Sequence, residues 1–267
     1  MEKIGLIAGN RRFPIIISQS ARRKGAYIVC VAVRGETSTE IKRYVDKTYW
    51  LSLSEFSKMF EIFKDEGLKK IIMAGQISPR RLFSKEVRKN KEIQDLLASI
   101  KDRKANTIFS ALAKKLEAQG LELIDSTTFM EDFLPRKGIL TKREPSPSEW
   151  EEIYFALDLA KVVAGLDIGL TVAVKNKAVL AVEALEGTDN LIRRAGRLAN
   201  EGIVVVKVGR PNQDMRFDIP VVGLNTVKNL IKARATCLAI EAGKTLFIDM
   251  PAAISLADKK GIAIAAV

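Results

Sequence analysis

Apolar and polar positions along this chain follow two periods that take turns. Lys3–Ala8 is a short apolar run, followed by the polar stretch Gly9-Asn10-Arg11-Arg12. A helix-period pattern then continues to Lys24, Gly25 ends it, and Tyr27–Val33 is a second apolar run rich in β-branched residues. Thr48–Leu51 reads as a third strand, Phe56–Lys64 as a helix broken at Gly67, and Lys70–Ala74 as a fourth strand. Helical patterns return at about Ile93–Ile100 and Ala105–Gln119, before a strand at Leu121–Asp125. Strands alternating with helices predict a parallel sheet with crossover helices.

The stretch FLPRKGILTKREPSPSEW carries prolines and charges but neither period, which marks a domain boundary near residues 135–147. The reading is therefore an α/β protein of two α/β domains. Residues 1–137 form a Rossmann-like parallel sheet, and residues 138–267 form a mixed α/β domain that carries the candidate catalytic carboxylate. In the second domain, Ser148 with Glu151 reads as a capping box for a helix ending near Ala164. Strands are expected at Leu170–Val174, Val179–Ala184, Ile203–Val208 and Ile219–Val222, with helices at Asp189–Ala199 and Thr226–Ala235. Leu238–Ala242 and Thr245–Ile248 read as a hairpin turned at Gly243-Lys244. Pro251–Lys260 reads as a helix and Ile262–Val267 as a closing strand.

Composition narrows the chemistry. The sequence contains no histidine, which removes every histidine-based triad, general base and metal ligand. If the chain is a hydrolase, a metal must be held by carboxylates and other oxygen donors, a set that suits Mg²⁺ or Mn²⁺. The formal charge of +12 suits an anionic partner, against the alternative of a plain solvated lysine-rich surface. Cys30 and Cys237 sit in the apolar runs VCVAV and TCLAI and read as small buried hydrophobes. No apolar stretch reaches the ~18–20 residues that cross a bilayer, and the N-terminus turns polar too soon for a signal peptide. A cytoplasmic protein is expected, with peripheral contact to the inner membrane left open.

Four constellations could carry chemistry. Gly9-Asn10-Arg11 joins a strand to a helix, where backbone N–H groups favour an anion; the alternative is an ordinary strand-to-helix turn. Gly75 and Gln76 follow the fourth strand at the edge where parallel sheets place ligands. Glu183 to Asp189, EALEGTD, brings three carboxylates to a strand end, with Glu186, Gly187, Thr188 as helix cap and Asp189 in the first turn. In QDMRFDIP, an extended chain would put Asp214, Arg216 and Asp218 on one face, with Lys207 and Arg210 just upstream. Carboxylates around an arginine suit a metal and a phosphate together, whereas the alternative is an amphipathic edge strand.

Read in order, IGLIAGNRRFP, IIMAGQISPR, GILTKREPS, LDIG, AVEALEGTDNLIRRAG, QDMRFDIPVVG and IEAGKTL resemble the LpxI-type UDP-2,3-diacylglucosamine pyrophosphatases. The resemblance spans the chain. It implies two α/β domains with the site between them, and Mg²⁺-dependent cleavage to UMP and 2,3-diacylglucosamine 1-phosphate (lipid X). It implies Asp218 as the essential carboxylate, with Asp214 second to it, and Asp218 and Asp189 as metal contacts. Gly75, Gln76, Glu186, Gly187 and Thr188 carry over as substrate contacts; Gly9, Asn10 and Lys207 are candidate contacts from their positions, the Gly9-Asn10-Arg11 loop departing from the G-x-G common in relatives. A homodimer is compatible with this reading, and nucleic acid is not expected as a partner. The competing readings are a nucleotide-sugar binding or transferase protein on the same scaffold, and a basic RNA-binding protein. Against the last, aromatics are 6% of residues and no aromatic-basic platform is visible.

Overall fold

The apolar run at the N-terminus forms strand β1 (Lys3–Ala8), and Pro14 opens helix α1 (Phe13–Arg23), where its missing N–H costs nothing. The computed structural model describes residues 1–78, 81, 84, 87, 88, 90–102, 105–216 and 219–267. Contacts divide the chain into two units: Met1–Glu131 with Asp214–Asp218, and Asp132–Gln213 with Ile219–Val267. A short segment from late in the sequence thus belongs to the first unit.

In the first unit, β1 is followed by β2 (Tyr27–Val33), β3 (Lys47–Leu51), β4 (Lys70–Ala74) and β5 (Glu122–Leu123). All pair in parallel, in the order β3-β2-β1-β4-β5. Helices α2 (Lys58–Asp65), α3 (Lys91–Ala98) and α4 (Ala105–Ala118) belong to the same unit, with short 3-10 turns at Thr39–Arg43 and Leu53–Glu55. Phe63 of α2 and Leu116 of α4 are fully buried against Val29, Ile71 and Leu123 on one sheet face. On the other face, Ile17 and Ala21 of α1 lie beside Ile4, Leu6, Ile28 and Ile72. Strands buried on both faces read as continuous apolar runs, which is why these strands were legible without alternation. The chain leaves β1 in one direction and β4 in the other, so the sheet has a topological switch point between them.

The second unit is mixed, as expected. Helix α5 (Pro147–Gly165) precedes β7 (Thr171–Lys175), β8 (Ala178–Val182), α6 (Thr188–Ala199) and β9 (Ile203–Lys207). After β10 (Val221–Val222) come α7 (Leu224–Lys232), β11 (Ala235–Ile240), β12 (Leu246–Phe247), α8 (Met250–Lys259) and β13 (Ala263–Ala266). With β6 (Gly138–Ile139) before α5, six strands form one sheet in the order β6-β13-β11-β9-β7-β8, and β10 pairs β12 separately. The central strands β9, β11 and β13 are parallel, whereas β6, β7 and β8 join antiparallel. Alternate residues feed opposite cores. Ile203 and Val205 face α6, α7 and α8, while Val204 and Val206 face α5.

Three sequence expectations are corrected here. The hairpin at Gly243-Lys244 does not form: β11 pairs in parallel with β9 and β13, and β12 pairs with β10 in another sheet. The α5 capping box is Ser146 with Glu149, not Ser148 with Glu151; Pro147 occupies the first helical position between cap and partner. Helix α7 ends at Lys232, since Arg234 turns at φ +52° and Ala235 already belongs to β11.

Candidate active site

At the switch point of the first unit, Ala8 of β1 lies opposite Ala74 of β4, and the loops beyond them meet. Gly9 N–H donates to Ala74 O at 2.8 Å, Asn10 N–H donates to Gln76 O at 2.7 Å, and Asn10 and Gln76 form an isolated antiparallel bridge. All four residues expected here, Gly9, Asn10, Gly75 and Gln76, are brought together. The approach needs glycine at both strand ends. A Cβ on Gly9 would stand 2.5 Å from Gln76 O, and one on Gly75, at φ +87°, 2.6 Å from Asn10 O. The bridge consumes backbone groups that a bare strand end would offer to an anion. Asn10, Gly75 and Gln76 are therefore a braced loop pair at the strand ends.

Glu36, which sequence reasoning missed, ties the same loops together. It follows β2, the position where dinucleotide-binding sheets hold an acid for ribose. Here its Oε2 accepts from Asn10 Nδ2 at 2.6 Å and from Ser78 N–H at 3.1 Å, while Oε1 accepts from Arg81 Nε at 3.2 Å. The loops after β1, β2 and β4 share one carboxylate. The signal lay in Arg34-Gly35-Glu36 directly after the second strand.

The segment around Asp214 is not an extended edge. Asp214 Oδ1 accepts Arg216 N–H at 3.1 Å, a side-chain-closed turn, and the Arg216 guanidinium returns to the same carboxylate at 2.8 Å. Asp214 and Arg216 are ion-paired, not spaced along a common face. The Arg216 hydrogen bonds hold the Asp214 carboxyl below the usual aspartate range despite partial burial. Arg216 also reaches Glu117 of α4 at 3.1 Å. Ser126 seats the turn: its N–H donates to Met215 O, and its hydroxyl lies 2.6 Å from both Arg216 O and Met73 O. Since Met73 belongs to β4, Asp214–Arg216 is fixed to the strand that leads into Gly75. Asp218 lies outside the described residues.

In the second unit, the Glu183–Asp189 loop closes on β9. Lys207, 4% exposed, donates from Nζ to Thr188 Oγ1 at 2.8 Å and to Thr171 Oγ1 at 3.3 Å. Thr188 in turn donates to Glu183 Oε1 at 2.9 Å, and Lys207 Nζ stands 3.6 Å from Glu183 Oε2. The structure thus brings the candidate residues Lys207 and Thr188 together, with Glu183 and Thr171 beside them. Thr188 is not the cap of α6. Gly187 occupies that place and the threonine hydroxyl is committed to Lys207 and Glu183. Glu186 accepts from Arg194 at 2.6 Å; burial works to raise its pKa, and the Arg194 hydrogen bond and charge together with backbone N–H donors at Glu186 and Ala184 bring it below the ordinary value. Asp189 Oδ2 accepts from Asn225 at 2.7 Å.

Glu241, just past β11, organises the other side of this strand-end edge. Its Oε2 accepts from Gly209 N–H at 2.8 Å and from Lys161, and its Oε1 meets Lys244 at 3.0 Å. Burial works against the carboxylate, and these partners overcome it, so its pKa falls. Arg210 N–H donates to Gln213 Oε1, and the Arg210 guanidinium pairs with Asp167 at 2.6 Å. Of the residues leading to Asp214, Gly209 is thus tied to Glu241 and Arg210 to Gln213 and Asp167.

Among the described residues no group of three or more acidic or thiol side chains gathers as a cage. Asp214 is engaged by Arg216, and Asp189 by Asn225.

The LpxI N-terminal domain family matches residues 3–133 and the LpxI C-terminal domain family matches residues 136–265. The UDP-2,3-diacylglucosamine pyrophosphatase LpxI of Caulobacter vibrioides is 29% identical over 273 residues, covering 98% of this chain and 96% of that protein. Among solved structures, the biotin carboxylase subunit of pyruvate carboxylase is 12% identical with a TM-score of 0.28, over 75% of this chain and 42% of that one. The biotin carboxylase domain of Hydrogenobacter thermophilus 2-oxoglutarate carboxylase is 10% identical with a TM-score of 0.29, over 74% of this chain and 42% of that one. This chain spans less than half of either carboxylase chain, and likeness this distant carries no argument about the site. The two LpxI domains follow one another from residue 3 to residue 265, and the chain belongs to the LpxI family.

Proposed function

We propose that this protein hydrolyses the pyrophosphate of UDP-2,3-diacylglucosamine, releasing UMP and 2,3-diacylglucosamine 1-phosphate for lipid A biosynthesis. The observation that carries the reading is the end-to-end match to a pyrophosphatase of that name, through both family domains. The braced loops at the switch point support it, because open α/β sheets take ligands there. So does the net charge of +12, which suits a pyrophosphate. The lipid product is membrane-resident, so peripheral contact with the inner membrane belongs to the same proposal.

The Mg²⁺ or Mn²⁺ requirement is a separate part of it. It rests on the missing imidazoles and on Asp218, and no described donor set assembles a cage. Purified protein should release UMP from the diacyl substrate with Mg²⁺, lose that activity in EDTA and regain it with Mg²⁺ or Mn²⁺. Asp218→Asn should lower kcat at least ~10²-fold while substrate binding survives, as expected for a group serving the transition state. Full activity in EDTA refutes the metal requirement alone. Absence of UMP release under all metals refutes the hydrolase.

A further inference from the structure

The helical layer over one face of the second sheet is built as a charged surface. Helices α6, α7 and α8 bury Leu191, Ile192, Val227, Leu230, Ala253 and Ala257 against the sheet. Their outer sides expose Arg193 and Arg197 on α6, with Arg194 paired to Glu186 beside them, Lys228 and Lys232 on α7, and Lys259 on α8. The acids in these three helices, Asp189 and Asp258, are only partly exposed, and both are engaged, by Asn225 and by Lys142 N–H. Helix α5, on the opposite face, is different. It exposes Asp158, and Glu151 paired with Lys177, beside Tyr154, Val162 and Leu166. The positive charge is therefore concentrated on one side of the sheet.

We propose that the outer surface of α6, α7 and α8 docks on an anionic lipid bilayer. Cations close to an anionic leaflet are attracted individually, and arginine suits lipid phosphates because its fork donates two bonds at once. An apolar component accompanies the charge. Leu198 is 64% exposed next to Arg197, and Leu185 is 81% exposed in the loop before α6. Leucines among arginines are what an interfacial surface uses to reach the boundary below the headgroups. Duplex or single-stranded nucleic acid offers phosphates too. The three helices carry no aromatic residue on which bases would stack. Choosing lipid over nucleic acid also rests on the proposed diacyl substrate. The acidic outer side of α5 excludes that face from the same role.

The test is flotation of the full chain with phosphatidylethanolamine vesicles containing phosphatidylglycerol, against phosphatidylcholine vesicles. Wild-type protein should float with the anionic vesicles and be released by salt. The triple variant R197E/K228E/K232E should lower its partition at least ~10-fold. Leu198→Gln, which keeps every charge, should lower it less. An unchanged melting temperature and unchanged UMP release from detergent-dispersed substrate would show the triple variant is folded. Equal flotation of wild type and triple variant overturns the proposal, as does equal binding to both lipids. Charge-dependent binding of labelled RNA or duplex DNA without flotation assigns the layer to nucleic acid instead. Loss of UMP release in wild type, with flotation intact, condemns the hydrolase reading and leaves the docking surface standing.

Discussion

Lys207 is a residue whose role the sequence suggested only halfway. Its place before Val208-Gly209-Arg210 marked it as a positive charge near the candidate site, yet at 4% exposure it serves the Glu183–Asp189 loop directly. A lysine at the end of an apolar strand gives no sign of whether its head reaches solvent or a buried carboxylate. Here it reaches Thr188, Thr171 and the Glu183 carboxylate inside the fold. Lys207→Met should strip the compensation from a carboxylate that is itself 8% exposed, costing ~3–5 kcal/mol as broken buried pairs do. Lys207→Met with Glu183→Leu removes both charges and should recover part of that loss. Urea unfolding of the two variants decides it. If the double variant is no more stable than the single, Glu183 does not depend on Lys207. Asp214 shows the complementary failure. Alternation predicted a strand face, but an aspartate two residues before an arginine closes a turn on itself, and only the structure distinguishes the two.

Elements were most legible where periodicity was strong. The parallel strands β1, β2 and β4 and their helices could be read because doubly buried strands are apolar without interruption. The errors fell where two readings share one pattern. Ser-x-x-Glu occurs twice, at Ser146 and Ser148, and proline between them selects the first. Two apolar runs around Gly243-Lys244 look like a hairpin, but Glu241 is pulled back to Gly209 and Lys161, so the chain after β11 leaves its sheet. The contact between the β1 and β4 loops was signalled only by Gly9 and Gly75. Gly75→Ala tests how much depends on it. The residue sits at φ +87°, where a side chain costs ~1–2 kcal/mol, and its Cβ would overlap Asn10 O. The overlap is with backbone, which cannot rotate away. We expect at least ~2 kcal/mol of destabilisation and a raised KM for the nucleotide substrate. Wild-type stability and kinetics in Gly75→Ala would show that the loops move apart freely.

At the scale of the whole molecule, the absence of histidine makes a prediction about pH. No imidazole titrates between pH 5 and 8, and burial pushes both Cys30 and Cys237 up to about 12. Folding therefore gains or loses little through protonation near neutrality. The carboxylates behave differently. Asp214, Glu149 and Glu241 all lie below their ordinary values of 3.8 and 4.5: Arg216 holds Asp214 there, while at Glu149 and Glu241 burial pushes upward and is overcome by Arg143, Ser146 and Thr236 and by Lys161, Gly209 and Lys244 together. A depressed carboxyl contributes stability that is fully present above its unfolded pKa and disappears as pH falls through the lower folded one. Protonation also raises a charge that is already +12, so repulsion grows in the same direction. The melting temperature should change by less than ~3 °C from pH 6 to 8, then fall by more than ~10 °C between pH 5 and 3. Glu241→Gln should start lower at neutral pH and fall less in acid, because its clamp has no proton to gain. Calorimetry across the range checks both. A melting transition that shifts sharply between pH 6 and 8 would mean that a group outside these pairs controls stability, and a Glu241→Gln curve parallel to wild type would remove Glu241 from the acid response.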